Sequence, residues 1–508
     1  MAKGLISSLA DLDRQDAVPF ALVIGAVLLV VSLVAHARDP LRSIPGPFWA
    51  KWTPLWMIYH VRKRNIHRHM IKMHEKYGPL IRVGPNEVST SNPEALRVIY
   101  GAGTGFRKSD WYSVWQGIRK WDLFGERNED IHRGQRRLVS NIYSLSNMKK
   151  LEPYVNNTVK LFLSNVFKAD KRSINLSLWI QLFAFDVIGE VTFSKPFGFL
   201  KSGTDNGTFQ QIDNTLACAA WVGYMPWLYW LNFRLSPYIG SHLAVTSRQT
   251  HLLTFTAKSI TERKAQGSDH EDILEQLFEV QKEKPEFDQI SITSMCASNI
   301  FAGSDSTALS ISSIIYYVVK TPGCKEKLMA EIEATALAHN IQPGEVFSLE
   351  TANTMPYLQA CMWEGLRCHP GVGMNLGRVV PSKGIEYEGR FYPGGTVLSA
   401  SAWVLHRDKE TFGEDADHFR PERWDAEPER VAQMRRSFFA FGAGSRFCIG
   451  RNVAWLEMSK LIPTFFREFD IKLVDPNQKL EESAVSFVKI LNLDVTLTPR
   501  NAATNGHV

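Results

Sequence analysis

The sequence predicts a mainly α protein with small β-sheets, standing behind an N-terminal transmembrane helix. Three observations predict it. Residues 17–35 run for nineteen positions without a charge, about the length of a helix across a bilayer core. Downstream of about residue 128, apolar residues recur at helical spacing in long segments. Strand and turn signals gather in two short stretches, residues 80–90 and 384–398.

The order along the chain follows from these. Residues 1–16 form a leader that carries Lys3 and Arg14, and residues 17–37 the anchor. A cleaved signal peptide has a shorter apolar core with a small-residue cleavage site. Here the run passes into His36-Ala37-Arg38 and a basic, Pro-rich hinge at 38–50 that contains Pro45-Gly46-Pro47. The competing reading of the run is a buried core helix. Residues 51–500 form the main domain and 501–508 a tail. Between Arg38 and Lys76 nine Lys/Arg stand against two Asp/Glu, enough to cover the net charge of +6. Such a patch suits nucleic acid in other settings, but its place beside the apolar run makes it a membrane flank. Cations concentrate on the cytosolic side and favour anionic head groups, so the domain faces the cytosol. Three sequons (Asn156, Asn175 and Asn206) are then chance matches.

With 44% apolar and 22% charged residues the composition is that of a globular protein. Six cysteines with no CxxC pair argue against a cysteine-built zinc or iron–sulfur centre and against a disulfide framework. The stretch 80–90 alternates and breaks at Gly84-Pro85, as a hairpin does. Helices are predicted near 135–165, 174–193, 240–266, 270–282, 291–320 and 323–339. No internal repeat or low-complexity segment is present.

The residues with most chemistry lie at 441–450, FGAGSRFCIG. Cys448 sits among glycines, a cation and aromatics, just before a helix predicted from Asn452. A helix N-terminus and a nearby cation lower a thiol pKa, and glycines let backbone N–H groups approach sulfur. Such a thiolate can be a nucleophile or a metal ligand; the plainer reading is a buried inert cysteine. The spacing Phe441, Gly444, Arg446, Cys448, Gly450 matches every fixed place of one signature. On it, residues 45–500 resemble the cytochrome P-450 group of haem-thiolate monooxygenases. The resemblance implies the fold of that family and a haem b whose iron takes Cys448 as axial thiolate. Thiolate ligation favours O–O cleavage. Phe441 would pack beside the ligand and Arg446 would neutralise a propionate.

Other residues take roles by the same resemblance. Glu364 and Arg367 lie three apart on a helix and, with Arg423 of Pro421-Glu422-Arg423-Trp424, resemble the family's Glu–Arg–Arg network, which holds the scaffold. The apolar segment 291–320 carries Ala302-Gly303-Ser304-Asp305-Ser306-Thr307. Gly303 costs roughly 1 kcal/mol of helix propensity and marks a distortion or a close approach. Read structurally, the hydroxyls bond back to carbonyls one turn earlier and Asp305 faces solvent. Read by resemblance, Asp305 with Ser306 or Thr307 relays two protons to bound dioxygen. The family commonly has threonine where Ser306 stands, so which hydroxyl serves is open. His132 and Arg136, four apart, fall where the family often has Trp and Arg against a propionate; Arg137 competes with Arg136. Arg378 fits a further propionate contact.

Residues 106–124 hold Trp111, Tyr112, Trp115, Trp121 and Phe124, and residues 216–233 are aromatic and uncharged. By resemblance these roof the pocket and dip into the membrane, which suits an apolar substrate entering from the bilayer. The resemblance thus implies a monooxygenase of the endoplasmic reticulum membrane. It would insert one atom of O2 into an apolar substrate by hydroxylation, epoxidation or demethylation. No GxGxxG stands on a strand–helix turn, so electrons would come from NADPH through a partner flavoprotein reductase. His369-Pro370-Gly371-Val372-Gly373 and Ser306 are most similar to fungal enzymes akin to pisatin demethylase, of secondary-metabolite pathways. Two rivals are a reductase-independent haem-thiolate isomerase or dehydratase, and a non-enzymatic haem or lipid carrier.

Overall fold

The computed structural model describes residues 37–500, apart from 169–172, 241 and 269, and scattered positions between 19 and 34. The leader, most of the anchor and the tail lie outside the described residues.

In chain order the principal elements are α1 (Leu55–Arg62), α2 (Ile66–Tyr77), β1 (Leu80–Gly84), β2 (Glu87–Thr90), β3 (Arg107–Lys108), α3 (Glu129–Val139), α4 (Glu152–Lys168), β4 (Ile174–Asn175) and α5 (Leu176–Phe193). Then follow α6 (Thr208–Val222), α7 (Pro226–Ile239), α8 (Ala244–Gln266), α9 (Ile273–Glu283), α10 (Gln289–Lys320), α11 (Cys324–Ala338) and α12 (Pro356–Cys368). The chain closes with β5 (Arg378–Val379), β6 (Ile385–Tyr387), β7 (Arg390–Tyr392), β8 (Val397–Ser399), α13 (Arg451–Glu468), β9 (Phe469–Leu473), β10 (Glu482–Ala484), β11 (Val488–Ile490) and β12 (Asp494–Pro499).

The helix starts are chemically marked. Asn128, Asn175, Asp272 and Asp288 each accept backbone N–H groups of the first turn of α3, α5, α9 and α10, satisfying donors a helix leaves unpaired. The expected helix at 135–165 is instead three pieces. A 3-10 turn at Ser140–Tyr143 ends α3, Ser144 in an extended conformation caps a short helix at Leu145–Lys150, and α4 then begins at Glu152. Ser144 offers the backbone a hydroxyl acceptor and so resets the helix start. The final helix begins at Arg451, one residue before its expected start.

At the centre lies α10, packed against α5, α12 and α13. Gly303 marks a close approach, not a distortion: α10 is continuous, and a Cβ at 303 would stand 2.6 Å from Ile188 Cδ1 of α5. Gly365 does the same for α12, where a Cβ would overlap Ile314. Among the described residues one helix is long and apolar enough to cross a membrane, Leu176–Phe193 (α5), and 72% of it is buried inside the protein. It is therefore a core helix.

The strands form a five-stranded sheet (β1-β2-β8-β5-β3), a three-stranded sheet (β4-β12-β9) and two hairpins, β6-β7 and β10-β11. The expected hairpin at 80–90 is β1–β2, with a register shift between Arg82 and Gly84. The strands after α13 were not among the expected elements, although β9 (FDIKL) alternates apolar and polar residues. The aromatic run 216–233 divides at Gly223–Met225 between α6 and α7. The α6 part is buried, whereas Trp227, Trp230, Leu231, Phe233, Leu235, Tyr238 and Ile239 of α7 are exposed.

Candidate active site

The loop before α13 is shaped by two glycines with positive φ, Gly442 (+73°) and Gly444 (+60°). A Cβ on Gly444 would overlap the Tyr100 carbonyl oxygen, so no side chain fits even if its φ were tolerated. The turn closes with Cys448 N donating to Phe441 O at 2.8 Å. We expect Gly444→Ala to displace this turn. The measurable result is loss of bound haem from purified protein with little change in far-UV circular dichroism.

Cys448 is exposed by surface area although protein packs closely around its sulfur, as for a thiol on an internal wall. Its surroundings correct one expectation. Burial pushes the thiol pKa up, and this outweighs the N–H groups of Gly450 and Arg451 and the charges of Arg136 and Arg451. The loop alone does not make a thiolate. A coordinated metal does, since it deprotonates a thiol outright.

Around His132 the fold gathers cations, one of which, Arg136, also faces the thiol. His132 is buried, and its pKa is driven down to about 3 by burial and by the charges of Arg446, Lys108, Arg136 and Arg378. Four other cations therefore share its neighbourhood. Arg136 feels Cys448 directly, whereas Arg137 is exposed. Arg378 is buried; its Nη1 donates to Tyr112 Oη at 3.3 Å and to its neighbour's carbonyl, Gly377 O, at 3.1 Å. Arg446 is engaged by protein: Nη2 lies 2.6 Å from Glu129 Oε1 and Nη1 donates to Glu126 O at 2.8 Å.

Lys108 was not legible in sequence. Strand pairing sets it opposite Arg378, where it is buried, donates to Phe124 O and lies over the Tyr112 ring. Burial, then Arg378 and Arg446, hold its pKa well below the usual lysine value. Its one sequence signal is the Arg107-Lys108 pair ahead of the aromatic run, and only the register with 378 gives that pair meaning. Burying like charges is costly without a counter-anion. A lined recess with one accessible thiol and this excess of cations fits an iron group bearing carboxylates, as haem b does.

A cavity of about 130 Å³ opens between the aromatic run and α10, lined by Trp111, Trp115, Phe124, Phe301, Ala302 and Phe487 among others. Apolar walls with few polar groups suit an apolar small molecule. Ser306 lies one turn on from Ala302, to whose carbonyl its hydroxyl donates at 2.5 Å. Ser304 does likewise to Ile300 O. The back-bonding expected on structural grounds is thus present, but Asp305 does not face solvent. It is buried, accepts from Gln181 Nε2 at 2.5 Å and pairs with Lys489 Nζ at 3.0 Å. Thr307 is buried as well. Lys489 was not legible in sequence.

Glu364, Arg367 and Arg423 come together as one buried network. Arg367 grips both carboxylate oxygens of Glu364 (2.8 and 2.9 Å), and Arg423 Nε reaches Oε1 at 3.1 Å. Trp424 Nε1 and Arg420 N complete the set at 2.9 and 3.0 Å. Burial pushes the Glu364 pKa up, but Arg367 and then Arg423 outweigh it and hold it below the usual value. His406 ties the network to the cysteine loop. Its Nδ1–H donates to Arg367 O at 3.0 Å, and its Nε2 accepts from Phe439 N at 2.8 Å.

Burial lowers the His406 pKa to about 3. A histidine neutral when folded and titrating near 6.5 when unfolded binds more protons unfolded between those values. Stability is therefore complete above about pH 6.5 and falls as pH drops toward 3, by up to about 1.4 kcal/mol per pH unit for each such group. We expect denaturant midpoints to fall through this window, and His406→Gln to flatten part of the slope while lowering the plateau.

The comparisons agree with this geometry. The family model for cytochrome P-450 matches residues 44–496. The chain is 37% identical over 469 residues to the cytochrome P-450 monooxygenase hepC of Aspergillus oryzae, covering 89% of this chain and 91% of that one. A cytochrome P-450 monooxygenase of Aspergillus terreus is 35% identical, covering 90% and 97%. The cytochrome P-450 monooxygenase cicH of Emericella nidulans is 33% identical, covering 94% and 98%. Proteins of this family hold a haem through a cysteine thiolate and take electrons from a redox partner to act with O2 on small molecules. With a mostly helical fold, an accessible cysteine among cations and an apolar cavity alongside, the chain belongs to the cytochrome P-450 family and is a haem-thiolate monooxygenase.

Proposed function

We propose that Cys448 is the axial ligand of haem b and that Lys108, His132, Arg136, Arg378 and Arg446 hold its propionates. The observation that carries this reading is that four cationic side chains, Lys108, Arg136, Arg378 and Arg446, gather around the neutral His132, with Arg136 also facing the accessible Cys448 thiol. Bound there, haem supplies the redox chemistry that activates dioxygen. The chain's own residues do the rest. Gly442 and Gly444 turn the loop so that the sulfur faces inward, and Phe441 and Phe447 pack beside it, ring centroids 6.2 Å apart. The neutral His132 offers an N–H without adding charge. Asp305, with Ser306 or Thr307, delivers protons; the Ser306 hydroxyl, donating to Ala302 O, keeps its lone pairs free to accept from water. Trp111, Trp115, Phe124, Phe301 and Phe487 exclude water and orient an apolar substrate. Glu364, Arg367 and Arg423 hold the scaffold and touch no reacting atom.

The electron donor in this reading is an NADPH-dependent flavoprotein reductase. Residues 17–37 anchor the protein in the endoplasmic reticulum membrane, a hinge at 38–50 leads to the domain at 51–500, and the domain faces the cytosol. Exposed Leu22, Val23, Val30 and Val34, and the exposed aromatic face of α7, support a bilayer beside the substrate entrance. The relatives are fungal, which supports oxidation of an apolar secondary metabolite in the manner of pisatin demethylase-like enzymes. The test is the absorption spectrum of purified protein, reduced and bound to carbon monoxide. A strongly red-shifted Soret band is expected; a band typical of histidine-ligated haem would overturn the assignment of Cys448.

A further inference from the structure

One ammonium group on the flank of the cavity faces two carboxylates from different elements. Lys489 of β11 pairs with Asp305 Oδ2 of α10 at 3.0 Å and with Asp213 Oδ1 of α6. The side chain of Asp305 is 1% exposed, that of Lys489 11% and that of Asp213 20%, so Asp213 stands nearest solvent. Burial pulls the Lys489 pKa down, but Asp305 and Asp213 outweigh it and hold it above the usual lysine value. Burial raises the Asp213 pKa against the pull of Lys489, with Asp305 as like charge and Arg64 as the other nearby cation. Gln181 of α5 holds the remaining oxygen of Asp305.

The three elements that meet at Lys489 also wall the cavity. Thr215 and Ala219 come from α6, Ser486 and Phe487 from the β10–β11 turn, and Phe301 and Ala302 from α10. The turn is pinned, since Gly373 N donates to Ser486 O at 2.9 Å, and Ser486 takes a φ of +138° that non-glycine residues rarely adopt. Two carboxylates compete for one ammonium, so the share each receives depends on how closely α6 packs.

We propose that Lys489 is a positioning residue for the acid Asp305, and that Asp213 couples it to the position of α6. This rests on the reading of Asp305 as a proton donor given above. When α6 packs down over an occupied cavity, Asp213 takes more of the ammonium and Asp305 is freed to turn toward Ser306. When α6 lies away, Lys489 falls wholly to Asp305 and holds it back. Proton delivery is thereby linked to closure of the cavity.

The test uses full-length haem-loaded protein with reductase and NADPH, in wild type and in the variants Asp213→Asn, Lys489→Met and Lys489→Arg. Infrared difference spectra are expected to show a new protonated-carboxyl C=O band in Lys489→Met. It should be absent from Lys489→Arg and lost in Lys489→Met/Asp305→Asn, because a buried carboxylate left without its cation takes up a proton. In Asp213→Asn the solvent isotope effect on NADPH oxidation and the hydrogen peroxide released per NADPH are expected to rise several-fold. A purely structural Asp213 would speed amide exchange across residues 208–222 and leave the isotope effect unchanged; that outcome, or no carboxyl band in Lys489→Met, would overturn the proposal. Wild-type protein without the red-shifted carbon monoxide band would overturn the reading beneath it, whereas an intact band with failed variants overturns the Lys489 role alone.

Discussion

Cys448→Ser is expected to leave the chain folded and to abolish both the red-shifted carbon monoxide band and product formation. The backbone contact that closes the loop, Cys448 N to Phe441 O, does not involve the sulfur. The side chain itself is accessible, so removing it leaves no large void in the core. The unfolding free energy of the haem-free chain should therefore change by no more than about 0.5 kcal/mol, as for substitutions away from core packing. Chemistry is another matter. A serine hydroxyl stays protonated where a thiol ligates as thiolate, and the electron donation that favours O–O cleavage is lost with it. A fall in turnover of roughly a thousandfold or more, about 4 kcal/mol of barrier, should appear in product formation with reductase and NADPH. Retained turnover in Cys448→Ser would remove this cysteine from the chemistry.

Glu364→Ala carries the largest expected effect on stability. The carboxylate is fully buried and receives Arg367, Arg423, Trp424 and the Arg420 amide. Removing it leaves the buried Arg367 guanidinium without its carboxylate, while Arg423 keeps only Asp415, a loss of about 3–5 kcal/mol. That is a large fraction of the 5–15 kcal/mol that typically holds a domain. The effect should reach the haem side, because Arg367 O is held by His406, whose other nitrogen holds Phe439 N two residues before Phe441. We expect little soluble protein at 37 °C, and at low temperature a protein with a lowered denaturant midpoint and weakened haem retention. Glu364→Gln should fall between, since an amide keeps one acceptor for Arg367 but loses the charge. A midpoint for Glu364→Ala equal to wild type would show the network to be dispensable.

The parts of the site legible in sequence share one property: their signals are local. The spacing from Phe441 to Gly450 sits within ten residues, and the pairing of Glu364 with Arg367 needs only one helical turn. The helices expected from 174, 270 and 291 were legible to within three residues because their apolar spacing is local too, while the capping Asn or Asp that fixes their starts at 176, 273 and 289 was not read. The break inside 135–165 was missed because a serine outweighed a pattern that otherwise continues. The remaining residues are joined over long distances. Lys108 meets Arg378 only through the register of β3 with β5, Arg446 meets Glu129 across more than three hundred residues, and Lys489 meets Asp305 from the far end of the chain.

By itself the sequence determined the family, the cysteine that defines it and the mainly helical architecture. These depend on residue identity at short spacing and on the period of apolar positions, both written along the chain. Only the tertiary structure decided the electrostatics: that the thiol is raised and not lowered by its surroundings, that Arg446 already has a carboxylate, and that Asp305 is buried and tied to α6 through one lysine. Charge and burial are sums over everything packed around a group, and those neighbours are brought together by the fold and not by the order of residues.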